Sequence, residues 1–368
     1  MYLSDLFKRE LMEGSKLLSY IKDVLKNRPT DWLNLTTHRL DVYDEKRAKT
    51  QFLEQLEALF NSNNSEVSAL RKLPTAYDYI RLGHPLSSLL EWTIAKLQDL
   101  KPENVISFSS QTIPVLAILR KNLLDPKKTQ INYTGELPDT FDTDVLKRVY
   151  GYQFELKQVE NAAAVSEFDG STIFISQQED LSKIVLSNSI DFFINSQAQL
   201  GSVVFVNGTL NEPYISDIQH VRRRETIAMT PANSLSVLQS LVDTSPFENS
   251  TNNLEIHKKK VLDSITGITG ADTTPIVGSS GLSVQYAIMM GLIHDAQEKY
   301  PEKAIKFIVP PNCYGGTNDQ ARRVAACIEN VEIVDLPVDG DNEMVQSIET
   351  ILAKIASEDA VPYIIAEI

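Results

Sequence analysis

The stretch GSSGLSVQYAIMMG, from Gly278 to Gly291, carries the pattern that decides the fold. It follows the apolar run Thr274 to Val277, which we predict as a strand, and apolar residues from Val284 to Leu292 recur at helical spacing. A helix is therefore expected to begin near Gly281. The free N–H groups and the dipole of a helix N-terminus attract anions. The strand-to-helix junction at Gly278 to Gly281, here called the hinge, is therefore either an ordinary helix cap or a phosphate-binding site, here called a phosphate seat.

The alternation of apolar runs and amphipathic segments continues on both sides of this stretch. It starts near Leu73 and restarts after the Asn/Ser-rich segment FENSTNN, Phe247 to Asn253. Strand followed by helix, repeated, is typical of an α/β fold with mostly parallel sheets and helices on both faces. We predict three parts: a helical leader over residues 1–70, a first α/β copy over 71–246, and an incomplete second copy over 247–368.

Two alignments indicate that the α/β parts are tandem repeats. Val105 to Leu119 lies over Pro275 to Met289, matching an apolar run, a Ser-Ser pair and a helix. Leu146 to Val159 lies over Ala321 to Leu336 with a small difference in length. Self-similarity of this kind is the sequence signature of related structural units.

A second glycine-rich loop follows the next predicted strand, KFIVPP. The loop NCYGGT, Asn312 to Thr317, lies at the carboxyl end of that strand, where open α/β sheets bind ligands. Tyr314 offers an aromatic face with little bulk around it, which suits stacking on a planar ring; the alternative is a packing tyrosine beside a Gly-Gly turn. The two loops together predict a site for a planar phosphorylated cofactor.

These loops resemble motifs of a known family. Ser280 to Leu282 and Tyr314 to Thr317 are similar to the Ser-Gly-Met and Tyr-Gly-Gly-Thr motifs of the cystathionine synthase/lyase group, the pyridoxal-phosphate enzymes of cysteine and methionine metabolism. Tyr77 to Leu97 resembles that family's Tyr-x-Arg-x-Gly-x-Pro motif and the helix after it. The resemblance implies a PLP-transferase scaffold of fold type I, with pyridoxal 5'-phosphate (PLP) as cofactor.

The resemblance also implies which residues bind the cofactor. The hinge would hold the phosphate through backbone amides, the tyrosine of the second loop would stack on the pyridine ring, and the earlier motif would complete the phosphate site. The six residues are Ser280, Gly281, Leu282, Tyr314, Tyr79 and Arg81.

The two copies keep different halves of this site. The Tyr-x-Arg motif occurs in the first copy, whereas the second has Phe247 to Asn249 at that place. Conversely, the first copy has Gln111 where the second has Gly281, and a glutamine side chain would crowd a phosphate. We therefore expect a homo-oligomer or an intrachain pseudo-dimer, in which the first copy lends Tyr79 and Arg81 to a cofactor seated on the second.

The Schiff-base lysine implied by the resemblance has no candidate in register. No lysine occurs between Lys183 and Lys258, and counting from Tyr314 overshoots Ile368. The catalytic residue is therefore unknown, and we expect a fragment, with a natural terminus as the alternative.

The expected function is a PLP-dependent lyase or transferase that acts on sulfur-containing or related amino acids by β/γ-elimination or replacement. The alternative is a catalytically inactive relative that serves as a binding or scaffold module.

The composition indicates which partners, which cellular compartment and which metal content to expect. The 368 residues carry a net charge of -14, which gives no electrostatic footprint for nucleic acid or an anionic membrane. The one basic run, Arg222 to Arg224, is predicted to be a solvated face, with a phosphate or partner contact as the alternative. Two cysteines, Cys313 and Cys327, fit a reducing compartment, and the histidines show no metal-ligand spacing. We expect a cytoplasmic protein with a small-molecule amino-acid substrate, no metal, and no nucleic-acid or membrane partner.

Overall fold

The computed structural model describes residues 2–35, 44–77, 79–177, 181–197, 199–243, 254–338 and 343–366. The chain forms two compact units. Unit 1 contains Met1–Ile118, Lys128–Pro138 and Glu155–Ile276, and unit 2 contains Leu119–Lys127, Asp139–Phe154 and Val277–Ile368. The predicted boundary between residues 246 and 247 and the segment Phe247 to Asn253 lie outside the described residues, so the three-part division stays a prediction.

Unit 1 opens with helices, as the predicted leader requires. Its described helices are α1 (Tyr2–Asn27), α2 (Glu45–Asn61), α3 (Val67–Leu70), α4 (Pro85–Leu97), the first half of α5 (Ile113–Leu124), α7 (Tyr214–Glu225), α8 (Pro231–Asp243) and α9 (Leu254–Thr269); α6 (Thr143–Arg148) belongs to unit 2. Helices α1, α4 and α8 pack on one another through buried apolar residues that include Ile21, Leu89 and Leu238.

A six-stranded sheet forms the centre of unit 1. Its strands are β1 (Val105–Phe108), β2 (Thr129–Tyr133), β3 (Glu155–Gln158), β4 (Ser171–Ser176), β5 (Phe192–Gln197) and β6 (Gly201–Val206), in the order β1-β6-β5-β4-β2-β3. Strands β2, β3, β4 and β5 are parallel, and β6 runs antiparallel to both β1 and β5. The mostly parallel α/β class is confirmed.

A buried ion cluster joins the helices of unit 1 to this sheet. The Glu91 carboxylate on α4 accepts hydrogen bonds from Lys49 Nζ at 2.8 Å, Arg222 at 2.8 Å and the Ser107 amide at 2.9 Å. Burial by itself would raise the pKa of Glu91, but the charges of Lys49 and Arg222 and these hydrogen bonds hold it at about 2. The predicted solvated face over Arg222 to Arg224 is therefore wrong for Arg222, whose side chain is fully buried as a partner of Glu91.

Unit 2 is built on a smaller, wholly parallel sheet. Its strands are β7 (Ile305–Val309), β8 (Val331–Asp335) and β9 (Val361–Ile364), in the order β8-β7-β9, and its other helices are α10 (Gly281–Lys299), α11 (Gly315–Ala325) and α12 (Met344–Ser357). Ile308, Leu336 and Ile355 form the centre of its core under α12.

The two sheets share one connectivity, which supports the predicted repeat. In unit 1, β2 lies between β4 and β3; in unit 2, β7 lies between β9 and β8, and all these pairs are parallel. The middle strand comes first in the chain in both cases, and the helix that follows it (α6 or α11) leads to the strand on one side. The aligned segments Leu146 to Val159 and Ala321 to Leu336 thus occupy equivalent elements.

One predicted strand is absent. Thr274 to Val277 forms no strand, and Ile276 and Val277 expose 88% and 44% of their surface. An apolar run becomes a strand only when a neighbour supplies its backbone hydrogen bonds. Among the described residues no strand pairs with this run, so the prediction is wrong.

Candidate cofactor site

Helix α10 begins where the hinge pattern predicts. Ser280 is its N-cap, and its Oγ accepts a hydrogen bond from the Ser283 amide at 3.2 Å. In return, the Ser283 hydroxyl accepts a bond from the Ser280 amide at 2.8 Å. This reciprocal capping box satisfies two of the donors at the helix start and fixes the direction in which the chain enters it. The helix-cap interpretation of the hinge is therefore confirmed.

Capping leaves two donors at the hinge unused. Among the described residues, no acceptor faces the amides of Gly281 and Leu282, the first two residues of α10. Gly281 is exposed, and a side chain built on it would meet no atom within 4 Å. An anion can therefore approach these amides closely, at the positive end of a 19-residue helix. A helix cap and a phosphate seat are compatible here.

The predicted stacking residue stands at the start of the next helix. Tyr314 is the N-cap of α11, and 56% of its surface is exposed. The three residues after it are Gly315, Gly316 and Thr317, and a side chain at Gly315 would also meet open space. The tyrosine is therefore not a core residue beside a tight turn. Its ring lies at the surface with small neighbours, as contact with a planar ligand requires.

Three polar side chains hold the starts of α10 and α11 side by side. The Gln320 amide group donates to the carbonyl of Leu282 at 3.0 Å. The Thr317 hydroxyl donates to the Gln285 side chain at 2.9 Å, and the Gln285 amide group reaches the carbonyl of Thr317 at 3.4 Å. Thr317 and Gln320 are each 1% exposed. The expected proximity of the two loops is thus present in unit 2.

The contacts of these three residues were not predicted. Gln320 lies on the buried face of α11 among apolar neighbours, and nothing local distinguishes it from a solvated glutamine. The signal that could have identified it is the polar residue within an otherwise apolar helical stripe, because a buried amide requires a partner.

The equivalent hinge of the first copy, in unit 1, is closed. Ser110 Oγ accepts hydrogen bonds from the amides of Thr112 at 3.3 Å and Ile113 at 3.1 Å. The Gln111 side chain donates to the carbonyl of Gln197 at 3.1 Å. The Thr112 amide corresponds to that of Leu282 in the alignment, so the donor that is free in the second copy is occupied in the first. That only the second copy binds a phosphate stays a prediction.

The remaining two predicted residues, Tyr79 and Arg81, lie in unit 1. Arg81 is buried, and its guanidinium carbon lies 4.5 Å from the centre of the Tyr79 ring. Arg223 approaches the same ring at 5.7 Å. The Nε of Arg81 is buried and has no hydrogen-bond partner within the described part of the chain. The two residues thus form a cation–π pair in unit 1, while Ser280, Gly281, Leu282 and Tyr314 belong to unit 2.

The described residues contain neither a metal-binding cluster nor a membrane-spanning helix. No cluster of three or more His, Cys, Asp or Glu side chains is placed to hold a metal among the residues that the structure describes. No helix of the described ranges has the length and apolarity needed to cross a membrane.

No known family profile matches the chain, and no curated protein sequence matches it. Several solved structures do match the chain. The metB protein of Corynebacterium glutamicum matches with 13% identity over 54% of this chain and 59% of its own, at a TM-score of 0.32. Cystathionine gamma synthase of Xanthomonas oryzae, in complex with aminoacrylate and cysteine, matches with 12% identity over 54% and 59%, also at 0.32.

A third structure, from Campylobacter jejuni, is described as an O-acetylhomoserine (thiol)-lyase and contains N'-pyridoxyl-lysine-5'-monophosphate. It matches with 13% identity over 65% of this chain and 70% of its own, at a TM-score of 0.30. The chain spans about three fifths of the length of the first two structures.

Proposed function

We propose that unit 2 binds pyridoxal 5'-phosphate at the paired starts of α10 and α11, and that the protein is a PLP-dependent lyase or transferase. Its substrates would be sulfur-containing or related amino acids, which react by β/γ-elimination or replacement. The observation that carries the proposal is the pair of free amides, Gly281 and Leu282, beside an exposed Tyr314 on the neighbouring helix.

Each residue at these helix starts has a distinct role in the proposal. The Gly281 and Leu282 amides donate to the phosphate, and Gly281 lets it approach. Ser280 uses its hydroxyl to fix the first turn of the helix, so it positions those amides. Tyr314 covers one face of the pyridine ring. Bound PLP supplies an electron sink for the bonds at the α-carbon of an amino acid.

Tyr79 and Arg81 complete the phosphate site in this proposal, as the motif resemblance implies. The buried, unpartnered Nε of Arg81 supports a role for the guanidinium beyond its contact with the Tyr79 ring. We propose that these residues act across an intrachain pseudo-dimer or a homo-oligomer. An Arg81→Ala variant should then retain PLP less well, whereas Arg81→Lys, which keeps the charge, should retain more of the affinity. Unchanged retention in Arg81→Ala would remove this part of the proposal.

The phosphate seat is tested by a substitution that preserves the helix but repels an anion. Gly281→Asp places a carboxylate in open space at the first position of α10, where an acidic residue stabilises a helix. We expect normal folding and a loss of about tenfold or more in affinity for PLP. Affinity for pyridoxal, which lacks the phosphate, should change little.

Ring absorbance during titration with PLP and with pyridoxal gives both affinities. Gly267→Asp is the matched control, because Gly267 is an exposed helical glycine on α9 whose added side chain also meets no neighbouring atom. Equal affinity of the unsubstituted protein for PLP and pyridoxal would refute the phosphate seat.

A second candidate function is a catalytically inactive relative that uses the fold for binding. The absence of a lysine between Lys183 and Lys258, together with the closed hinge of the first copy, favours it. Borohydride reduction in the presence of PLP, followed by mass spectrometry, distinguishes the two. An enzyme should carry a pyridoxyl group on one specific lysine, whereas a binding module should carry none and should release its cofactor as the free alcohol, pyridoxine 5'-phosphate.

A further inference from the structure

Unit 1 contains a cleft that neither the motifs nor the proposed function uses. Its volume is about 660 Å³, which lies in the range of small-molecule sites. It opens where β2, β3 and β4 end, beside Thr134, Glu160 and Ser176. Because these three strands are parallel, their carboxyl ends share one edge of the sheet, and open α/β sheets bind ligands at that edge.

The floor of the cleft is apolar. Phe174 on β4 and Phe193 on β5 are paired across the two strands, and their ring centres lie 5.0 Å apart. Both side chains line the cleft although at most 2% of their surface is exposed. Ala162 and Ala163 extend this surface on one side with little bulk. Ala163 and Val185 are exposed and add most of the apolar surface that a ligand can contact, so the lining accepts an apolar group and would remove it from water.

Hydrogen bonds fix the two walls of the cleft. In one wall, the Asn161 side chain accepts a bond from the Ala163 amide at 3.0 Å. In the other, the carbonyl of Ser187 accepts a bond from the Asn207 side chain at 2.9 Å. Ser189 links the walls, since its hydroxyl donates to the carbonyl of Val165 at 2.9 Å. The cleft is thus formed before a ligand enters, which lowers the cost of binding.

Among the described residues, the lining contains one acid and one base. Glu160 follows β3, and Lys183 follows β4 at the end of a short 3-10 helix. Thr134, Ser176 and Ser187 add hydroxyl groups between them. A lining with one charge of each sign matches a ligand that carries one charge of each sign and is neutral overall.

We propose that this cleft binds a free α-amino acid with an uncharged, apolar side chain. The ammonium group of Lys183 contacts the ligand carboxylate, and the carboxylate of Glu160 contacts the ligand ammonium. The side chain of the ligand lies on the floor formed by Phe174 and Phe193. This site is independent of the proposed phosphate seat in unit 2, and the inference does not depend on PLP binding.

Calorimetric titration of the whole chain with free methionine tests the site. Methionine should bind, whereas N-acetylmethionine, which lacks the ammonium, and methionine methyl ester, which lacks the carboxylate, should each bind at least about tenfold more weakly. Glycine, which has no side chain to occupy the floor, should also bind more weakly than methionine. Absence of methionine binding, or equal binding of methionine and N-acetylmethionine, overturns the proposal.

Variants assign the binding to this cleft. Lys183→Gln and Glu160→Gln should each weaken methionine binding by about tenfold, and circular dichroism should confirm that both remain folded, since both side chains are exposed. Lys128→Gln is the matched control, an exposed lysine of unit 1 outside the lining. Gly281→Asp should leave methionine binding unchanged. If Gly281→Asp abolishes the binding, or Lys183→Gln leaves it intact, the amino acid binds elsewhere and the proposal is wrong.

Discussion

Gln320 donates its side-chain amide to the backbone carbonyl of Leu282 across 3.0 Å, and this bond ties the first turn of α10 to the second turn of α11. The two residues are 38 positions apart, on consecutive helices of unit 2. Because Leu282 supplies one of the two free amides and α11 begins at Tyr314, this contact sets the spacing between the proposed phosphate seat and the proposed stacking ring.

Loss of this contact should weaken both stability and cofactor affinity. Gln320→Leu keeps the volume but removes the amide donor, at a cost of about 1 kcal/mol in the free energy of unfolding. PLP affinity should fall as well, because the two helix starts are no longer held in register. Urea denaturation and PLP titration measure the two effects. Gln346→Leu, at an exposed position of α12, is the control, and an unchanged PLP affinity in Gln320→Leu would show that the contact is only structural.

The two copies of the Ser-Ser hinge allow a matched comparison. Ser280→Ala and Ser110→Ala each remove a hydroxyl that accepts hydrogen bonds from amides at a helix start, so each should lower the free energy of unfolding by about 1 kcal/mol. Only Ser280→Ala should also weaken PLP binding, since Ser280 positions the Gly281 and Leu282 amides. Chemical denaturation with parallel PLP titration measures both quantities. An equal loss of affinity in the two variants would contradict the assignment of the seat to the second copy.

The aromatic face of Tyr314 should matter to binding and not to folding. Tyr314→Phe keeps the ring and should keep PLP affinity within about threefold, whereas Tyr314→Leu should lose about tenfold. Because the side chain is 56% exposed, neither change should alter the unfolding free energy by more than about 0.5 kcal/mol. PLP titration of the two variants is the measurement, and equal affinities would exclude stacking.

His84 should make unit 1 sensitive to mild acid. Its Nδ1 accepts the Ser87 amide at 3.2 Å and its Nε2 donates to the carbonyl of Met229 at 2.7 Å, so the ring is neutral. Burial lowers its pKa from 6.5 to about 4. The unfolded chain therefore takes up a proton that the folded chain does not. This contribution to stability is complete above pH 6.5 and is lost as the pH falls towards 4, on the order of 3 kcal/mol in all.

His84→Asn keeps a capping acceptor but removes the titrating ring. Denaturation curves between pH 7 and 4 should show a shallower loss of stability for the variant than for the unsubstituted protein. Parallel curves for the two proteins would mean that His84 does not titrate as proposed.

Helix α10 and the loop before α11, which carry the candidate site, could be predicted because the sequence patterns that indicate them are local. Serine at the start of an apolar helical stripe located the first turn of α10 to the residue. The loop before α11 was predicted at the carboxyl end of a strand, but its last three residues, Gly315 to Thr317, form the first turn of the helix. Proximity of the two loops was expected from two consecutive parallel strands, but Thr274 to Val277 forms no strand, and side-chain hydrogen bonds hold the helix starts together instead. Motif resemblance added the roles of Gly281, Leu282 and Tyr314, which spacing alone does not provide.

What could not be predicted depends on contacts between distant residues. Thr274 to Val277 has the composition of a strand, but strand formation requires a partner that local sequence does not specify. Arg222 belongs to a run of three arginines, which usually indicates a solvated face, yet its partner Glu91 lies 131 positions earlier. Gln320 and Leu282 pose the same difficulty. In each case the local conformation is decided by an interaction between residues that are far apart in the sequence.

The Glu91 cluster also constrains the order in which unit 1 can be assembled. Its members come from α2, α4, β1 and α7, and Lys49 precedes Glu91 by 42 residues whereas Arg222 follows by 131. A carboxylate is costly to bury before its cations are in place. Helix α4 can therefore pack in its final position against the sheet only after the ribosome has synthesised the chain past Arg222. We expect the ribosome-bound nascent chain to hold α4 loosely until that point, with β1 and the leader helices consolidating together in one late step.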